Sequence, residues 1–101
     1  MNTTMGVSRG SLFPEKWPSL EQNIPNPCRE LTSIGFYLPA SDFITMRLCN
    51  YLGKEVWAQS QKLFPAGNNA IMVPLCHLAQ GLYMYTMEGM DYCLTRKLII
   101  R

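Results

Sequence analysis

The side chains able to do covalent or acid–base chemistry are few in this chain. Its single histidine, His77, stands next to Cys76. Nucleophilic catalysis needs a nucleophile, a base and a group that orients the base. Neighbours along a strand or loop usually point apart, so the adjacency of Cys76 and His77 builds no such site. The acidic residues Glu15, Glu21, Glu30, Asp42, Glu55, Glu88 and Asp91 are spread along the chain and show no pairing of the kind glycoside hydrolysis requires. Cys28, Cys49, Cys76 and Cys93 lack the C-x-x-C spacing of zinc and redox sites. No metal or cofactor is expected, and the cysteines read as buried free thiols rather than a disulfide framework. Gly67-Asn68-Asn69 is a turn, not a phosphate loop. The residues therefore argue against an enzyme.

The bulk composition bounds the broad class. The chain has 101 residues, 48% of them hydrophobic and 16% charged. That is one folded domain with a charged fraction below the usual ~25%. The net charge of +2 is too mild for nucleic acid, and Lys54, Lys62, Arg96, Lys97 and Arg101 form no basic stripe. No apolar run reaches the ~18–20 residues of a membrane span. The N-terminal stretch lacks the charged-then-apolar order of a signal peptide. A cytoplasmic protein and a piece of a longer exported one both remain open.

Any functional surface must be positioned by strands. Residues 1–19 read as a linker punctuated by Gly6, Gly10, Pro14 and Pro18, with Phe13 and Trp17 available to dock. From residue 20 to 101 the chain reads as one domain. "LEQNIPNPC" is a stiff extended corner, because each proline fixes its own φ and extends its predecessor. "LTSIGFYLP" alternates with period two, and so does "FITMRLCNY". "VWAQSQKLF" reads as a strand although Val56, Gln59 or Ser60, and Leu63 also have helical spacing. "PAGNN" is a turn, "AIMVPL" a short strand, and "LYMYTM-EGMD-YCLTRKLII" a closing hairpin. Turn signals recur about every 8–12 residues. The expectation is an all-β, antiparallel sandwich of about seven strands. Its inward faces are Ile34, Phe36, Ile44, Met46, Leu48, Val56, Ile71, Val73, Leu82 or Tyr83, Leu94 and Leu98.

The punctuation, taken in order, resembles the C-terminal sorting domain of the type IX secretion system of Bacteroidetes. Asn23, Pro25, Asn26 and Pro27 match the family's N-x-P-N-P opening. Gly53, Lys54 and Val56 match its G-K-x-V hairpin, and Ala66 and Gly67 its a-G turn. Leu78, Ala79, Gly81 and Tyr83 match L-a-x-G-x-Y, and Lys97, Leu98 and Ile99 the terminal strand. The chain departs from the pattern at Cys28, where a bulky apolar residue is common, and at Cys76 and His77.

The resemblance implies an immunoglobulin-like sandwich with no catalytic role, carried on the C-terminal side of a cargo protein. It implies passage through the periplasm, recognition by an outer-membrane translocon, and removal by a sortase-like peptidase, here near Gly6–Ser11. The destination would be the cell surface or the extracellular space, and the chain would be an excised tail of an exported precursor. Recognition would fall on Gly81, Tyr83, Lys97, Leu98, Ile99, Ile100 and Arg101, with Ile99 and its neighbours offered as an edge strand. Pro25, Asn26, Pro27, Gly53, Lys54 and Gly67 would shape the fold. The competing reading is an immunoglobulin-like binding or adhesion module for carbohydrate or protein. Its aromatic platform would come from Trp17, Tyr37, Tyr51 and Trp57. A homodimer formed by edge-strand pairing is compatible with either reading.

Overall fold

The computed structural model describes residues 16–101. The proposed cleavage stretch and Phe13 lie outside the described residues. Seven strands follow in order: β1 (Ser19–Leu20), β2 (Leu31–Leu38), β3 (Asp42–Asn50), β4 (Glu55–Phe64), β5 (Gly67–Pro74), β6 (Gly81–Glu88) and β7 (Cys93–Ile100). They form two antiparallel sheets, ordered β1-β2-β5 and β4-β3-β6-β7. No helix occurs among the described residues, consistent with an immunoglobulin-like sandwich.

Period-two alternation is what sorts the side chains. Thr32, Ile34, Phe36 and Leu38 of β2 are buried while the residues between them are not. Ile44, Met46 and Leu48 do the same in β3, and Tyr83, Tyr85 and Met87 in β6. Pleating sends these sets to one face, and the two faces meet in a single core. An edge-to-face contact between Phe36 of one sheet and Phe64 of the other, 5.1 Å between centroids, joins the layers. Of the paired alternatives at the start of β6, Tyr83 faces in and Leu82 faces out. Val56 and Leu94 are only partly buried, at the core's border.

Several boundaries differ from the sequence reading. The turn after β4 is shorter than "PAGNN". Gly67 adopts φ 101°, a conformation costly for any residue with a Cβ. The Asn69 amide donates to the carbonyls of Pro65 and Gly67. With the corner closed this tightly, β5 begins at Gly67 and takes in both asparagines. β1 is two residues long, too short for a periodic signal. "VWAQSQKLF" is strand, as its neighbours require. Arg47 bridges Glu55 of β4 and Glu88 of β6 across the outer face, at 2.7 and 3.1 Å.

The cysteines are all free, but only Cys28 is buried. Cys49 is half-buried, and Cys76 and Cys93 are exposed. The expectation of four buried thiols fails because Cys93 lies on the outward side of an edge strand and Cys76 in the loop after β5. Burial pushes the Cys28 thiol above its ordinary pKa, which suppresses the reactive thiolate. Labelling of the native protein with a bulky maleimide should therefore modify Cys76 and Cys93 quickly and leave Cys28 untouched until denaturant is added. Rapid native labelling of Cys28, read by peptide mass, would contradict its placement.

Burial, together with the nearby Asp42 carboxylate, pushes the Tyr92 phenol up to about 12. Its hydroxyl is enclosed beside Asp42 without a hydrogen bond of good geometry. The folded state thus holds this proton more tightly than the unfolded chain, whose phenol titrates near 10. The stabilisation is complete below about pH 10 and is lost as pH rises towards 12. Melting temperature should fall between pH 9.5 and 11.5. Tyr92→Phe should fall less over that interval, and an identical fall would remove Tyr92 as the cause.

Candidate recognition surface at the terminal strand

β7 is an edge strand by sheet order, yet its far edge is not open. It pairs with β6 in a continuous register, Gly81↔Ile100, Tyr83↔Leu98 and Tyr85↔Arg96 among the pairs. On its other side lies the segment Leu20–Cys28, which runs from β1 through the N-x-P-N-P opening. Arg96 Nε donates to the Leu20 carbonyl at 2.6 Å, and Gln22 Nε2 donates to the Lys97 carbonyl at 2.9 Å. The Ile99 N–H donates to Asn26 Oδ1 at 3.0 Å. The Cys28 N–H donates to the Ile99 carbonyl, and the Arg101 N–H to the Cys28 carbonyl. This is a short parallel bridge with side-chain caps, and it consumes the outward backbone groups of Ile99.

A buried polar knot holds that strap in place. Asn23 is 1% exposed. Its side chain donates to the Pro25 carbonyl and to Thr32 Oγ1, and accepts from Gln22 Nε2. Its backbone N–H donates to Tyr85 Oη at 2.9 Å, and that hydroxyl donates to the Glu21 carbonyl at 2.7 Å. Buried polar atoms must be paired in this way or they cost stability. Burial raises the Tyr85 phenol above its ordinary pKa, so it stays neutral and able to donate. The two asparagines of the opening thus have separate tasks: Asn23 anchors the strap in the core, and Asn26 caps the terminal strand. Pro25 and Pro27, exposed, flank Asn26.

The expected recognition residues divide by face. Leu98 and Ile100 are core, at 0% and 4% exposure, and Tyr83 is buried with its hydroxyl donating to the Ala79 carbonyl. Lys97, Ile99 and Arg101 are exposed. Gly81 opens β6 at φ 146°, where a side chain would strain the turn into the strand. Gly53 and Lys54 close the β3–β4 hairpin, where the Gly53 N–H donates to the Asn50 carbonyl and Asn50 Oδ1 receives the Lys54 N–H. Sequence reasoning missed Gln22, Thr32, Tyr85 and Arg96. The available signal was a tyrosine on an inward face, which must find a partner for its hydroxyl.

The rival sites are dispersed. Tyr37 is half-buried on β2 and Trp57 half-buried on β4 of the other sheet. Tyr51 lies in the β3–β4 turn, and Trp17 precedes β1. Cys76 and His77 sit in an exposed turn, and no group of three metal-ligating side chains converges among the described residues.

These features define an immunoglobulin-like sandwich clamped at its final strand. The model of the secretion system C-terminal sorting domain family matches residues 23–101. The chain belongs to this family, the C-terminal sorting domains of type IX secretion. Such a domain serves the export of the protein that carries it to the cell surface or extracellular space, and sorting rather than catalysis is the family's role. A comparison with curated proteins found no match.

Proposed function

We propose that this domain is the export signal of a cargo protein joined to its N-terminal side, and that the type IX outer-membrane translocon reads it as a folded unit. The observation that carries this reading is the clamp. The family match begins at Asn23, whose N–H donates to Tyr85 Oη, and Asn26 caps the Ile99 N–H, each partner more than sixty residues away in sequence. In this reading the strap presents the terminal strand as part of a rigid surface, not as a loose peptide. Lys97, Ile99 and Arg101 make the contact, while Tyr83, Leu98 and Ile100 hold the frame and Gly81 shapes its corner. The cargo crosses the periplasm, and a sortase-like peptidase then removes the domain within the 6–11 stretch. Two copies pairing by strand edges would use β4 or β5, because the strap covers β7 at Ile99.

The test is a periplasm-targeted reporter fused to residues 1–101 in a bacterium with the type IX system. The reporter should reach the surface, and its released form should lack this domain by mass. Retention of a folded, full-length fusion in the periplasm would contradict the proposal.

A further inference from the structure

The strands at the sheet edges are β1, β5, β4 and β7, and three of these edges are blunted. The strap covers β7 at Ile99 and Arg101. β1 is two residues long. β4 carries Glu55 and Lys62, and its pairing with β3 shifts register between Ile44 and Met46 and again between Leu48 and Cys49. Charges and bulges are the usual defences of an exposed edge. β5 has neither. Its eight residues pair with β2 in unbroken register, and neither strand contains a charged residue. The other side of β2 shows which groups of β5 are left over. Ser33 exchanges both backbone bonds with Ile24, and the Gly35 carbonyl accepts from the Glu21 N–H. Ser33 and Gly35 thus face the strap, and Thr32, Ile34 and Phe36 face β5. Opposite them, Val73, Ile71 and Asn69 bond to β2. Asn68, Ala70 and Met72 therefore turn their N–H and C=O groups to the unpaired edge.

We infer that β5 is a dimerisation edge, occupied by β5 of a second copy in antiparallel alignment about a two-fold axis at Ala70. The inference stands apart from the sorting reading. A second copy offers the same unguarded edge, so the pairing is β5 to β5 and closes on itself. The outward groups decide the register. With Ala70 opposite Ala70 and Asn68 opposite Met72, every outward N–H and C=O of these residues finds a partner. Sliding one way sets Pro74, which has no N–H, opposite Asn68 and leaves a carbonyl unmatched. Sliding the other way sets Met72 opposite Ala66, before β5 begins. Charge agrees with this alignment. β4 adjoins β5 through the corner at Pro65 and Ala66, with Glu55 at its far end and Lys62 near the corner. The two-fold axis reverses one copy against the other, so each Glu55 end lies towards the other copy's Lys62 end, and unlike charges approach. The alanine methyl groups at the axis admit the close spacing of paired strands. The pairing also covers part of Met72, 55% exposed, without burying a charge.

Sedimentation velocity of the chain, from micromolar to millimolar concentration, should show a reversible monomer–dimer equilibrium. Ala70→Lys sets like charges directly opposite each other at the axis, from an exposed position, and should raise the dissociation constant about fivefold or more. Ala70→Glu should do the same. An equimolar mixture of the two should regain the dimer, because lysine then meets glutamate. Thr95→Lys, on β7 at the opposite flank, should dimerise as the unaltered chain does. Amide hydrogen exchange of the unaltered chain reads the same contact without a substitution. Exchange at Ala70 and Met72 should slow as concentration rises, and exchange at Ile71, bonded to β2, should change far less. Melting curves verify folding, and the exchange result decides the matter where a variant does not fold. A chain that stays monomeric at millimolar concentration would overturn the inference and leave this edge to a strand of another protein. A dimer indifferent to folded Ala70→Lys would overturn it too, as would growth into higher oligomers. A mixture of the two folded variants that stays monomeric would overturn the register at Ala70. Each of these failures leaves the sorting reading intact, which is tested by export and not by association.

Discussion

Leu98→Ala should destabilise the domain by about 2–5 kcal/mol, the usual cost of emptying a core leucine site. Its side chain is fully buried opposite Tyr83, and the β-sandwich gives the cavity little room to collapse. At about 4–8 °C per kcal/mol for a domain of this size, the melting temperature should fall by roughly 10 °C or more. Lys97→Ala, one residue earlier and exposed, should stay within about 0.5 kcal/mol of the parent. Thermal melting followed by circular dichroism measures both. A Leu98→Ala domain that melts within about 2 °C of the parent would show that this strand does not complete the core. The contrast has a practical consequence. Deleting residues 97–101 removes core side chains, the Ile99 cap and any receptor contact at once. Lost export after such a deletion therefore cannot separate recognition from folding. Point changes on the outward side can.

Asn23→Ala should cost about 2–4 kcal/mol, more than an ordinary polar-to-alanine change. The substitution removes the side-chain partner of Gln22 and strips a donor from both Thr32 and the Pro25 carbonyl, inside the protein. A buried polar group left unmatched costs about 1–3 kcal/mol. The loss should also propagate. Gln22 and Asn26 reach β7 from the strap that Asn23 anchors. Amide hydrogen exchange at Ile99 and Arg101 should therefore accelerate more than exchange at Met46 in the central β3. Uniform acceleration across the domain would mean that Asn23 supports the fold as a whole and does not act through the strap. Unchanged exchange at Ile99 and Arg101 would contradict the clamp.

The strands were legible because half-buried sheets write themselves as period-two alternation, clearest in Thr32–Leu38 and Ile44–Leu48. Gly53 announced its hairpin for the same local reason. What stayed hidden was non-local. Nothing near Asn26 in sequence says that its carboxamide meets Ile99, and nothing near Tyr85 says that its hydroxyl meets Glu21 and Asn23. Those contacts exist only once β6 and β7 are paired and the strap laid beside them. The terminal residues were legible as a motif but not by role. Alternation implied that some face in and some out, yet only the register with β6 assigns Leu98 and Ile100 to the core and Lys97 and Ile99 to the surface. The expectation of an open terminal edge at Ile99 gave way for the same reason: the strap comes from the opposite end of the domain.

The most direct test of the sorting claim compares the residues 1–101 fusion in two strains of one bacterium, with and without a working type IX translocon. Surface reporter is measured by protease accessibility on intact cells. The account predicts a surface-exposed reporter in the first strain and a folded reporter confined to the periplasm in the second. Equal surface exposure in both strains would contradict it, and so would confinement of a folded reporter in both.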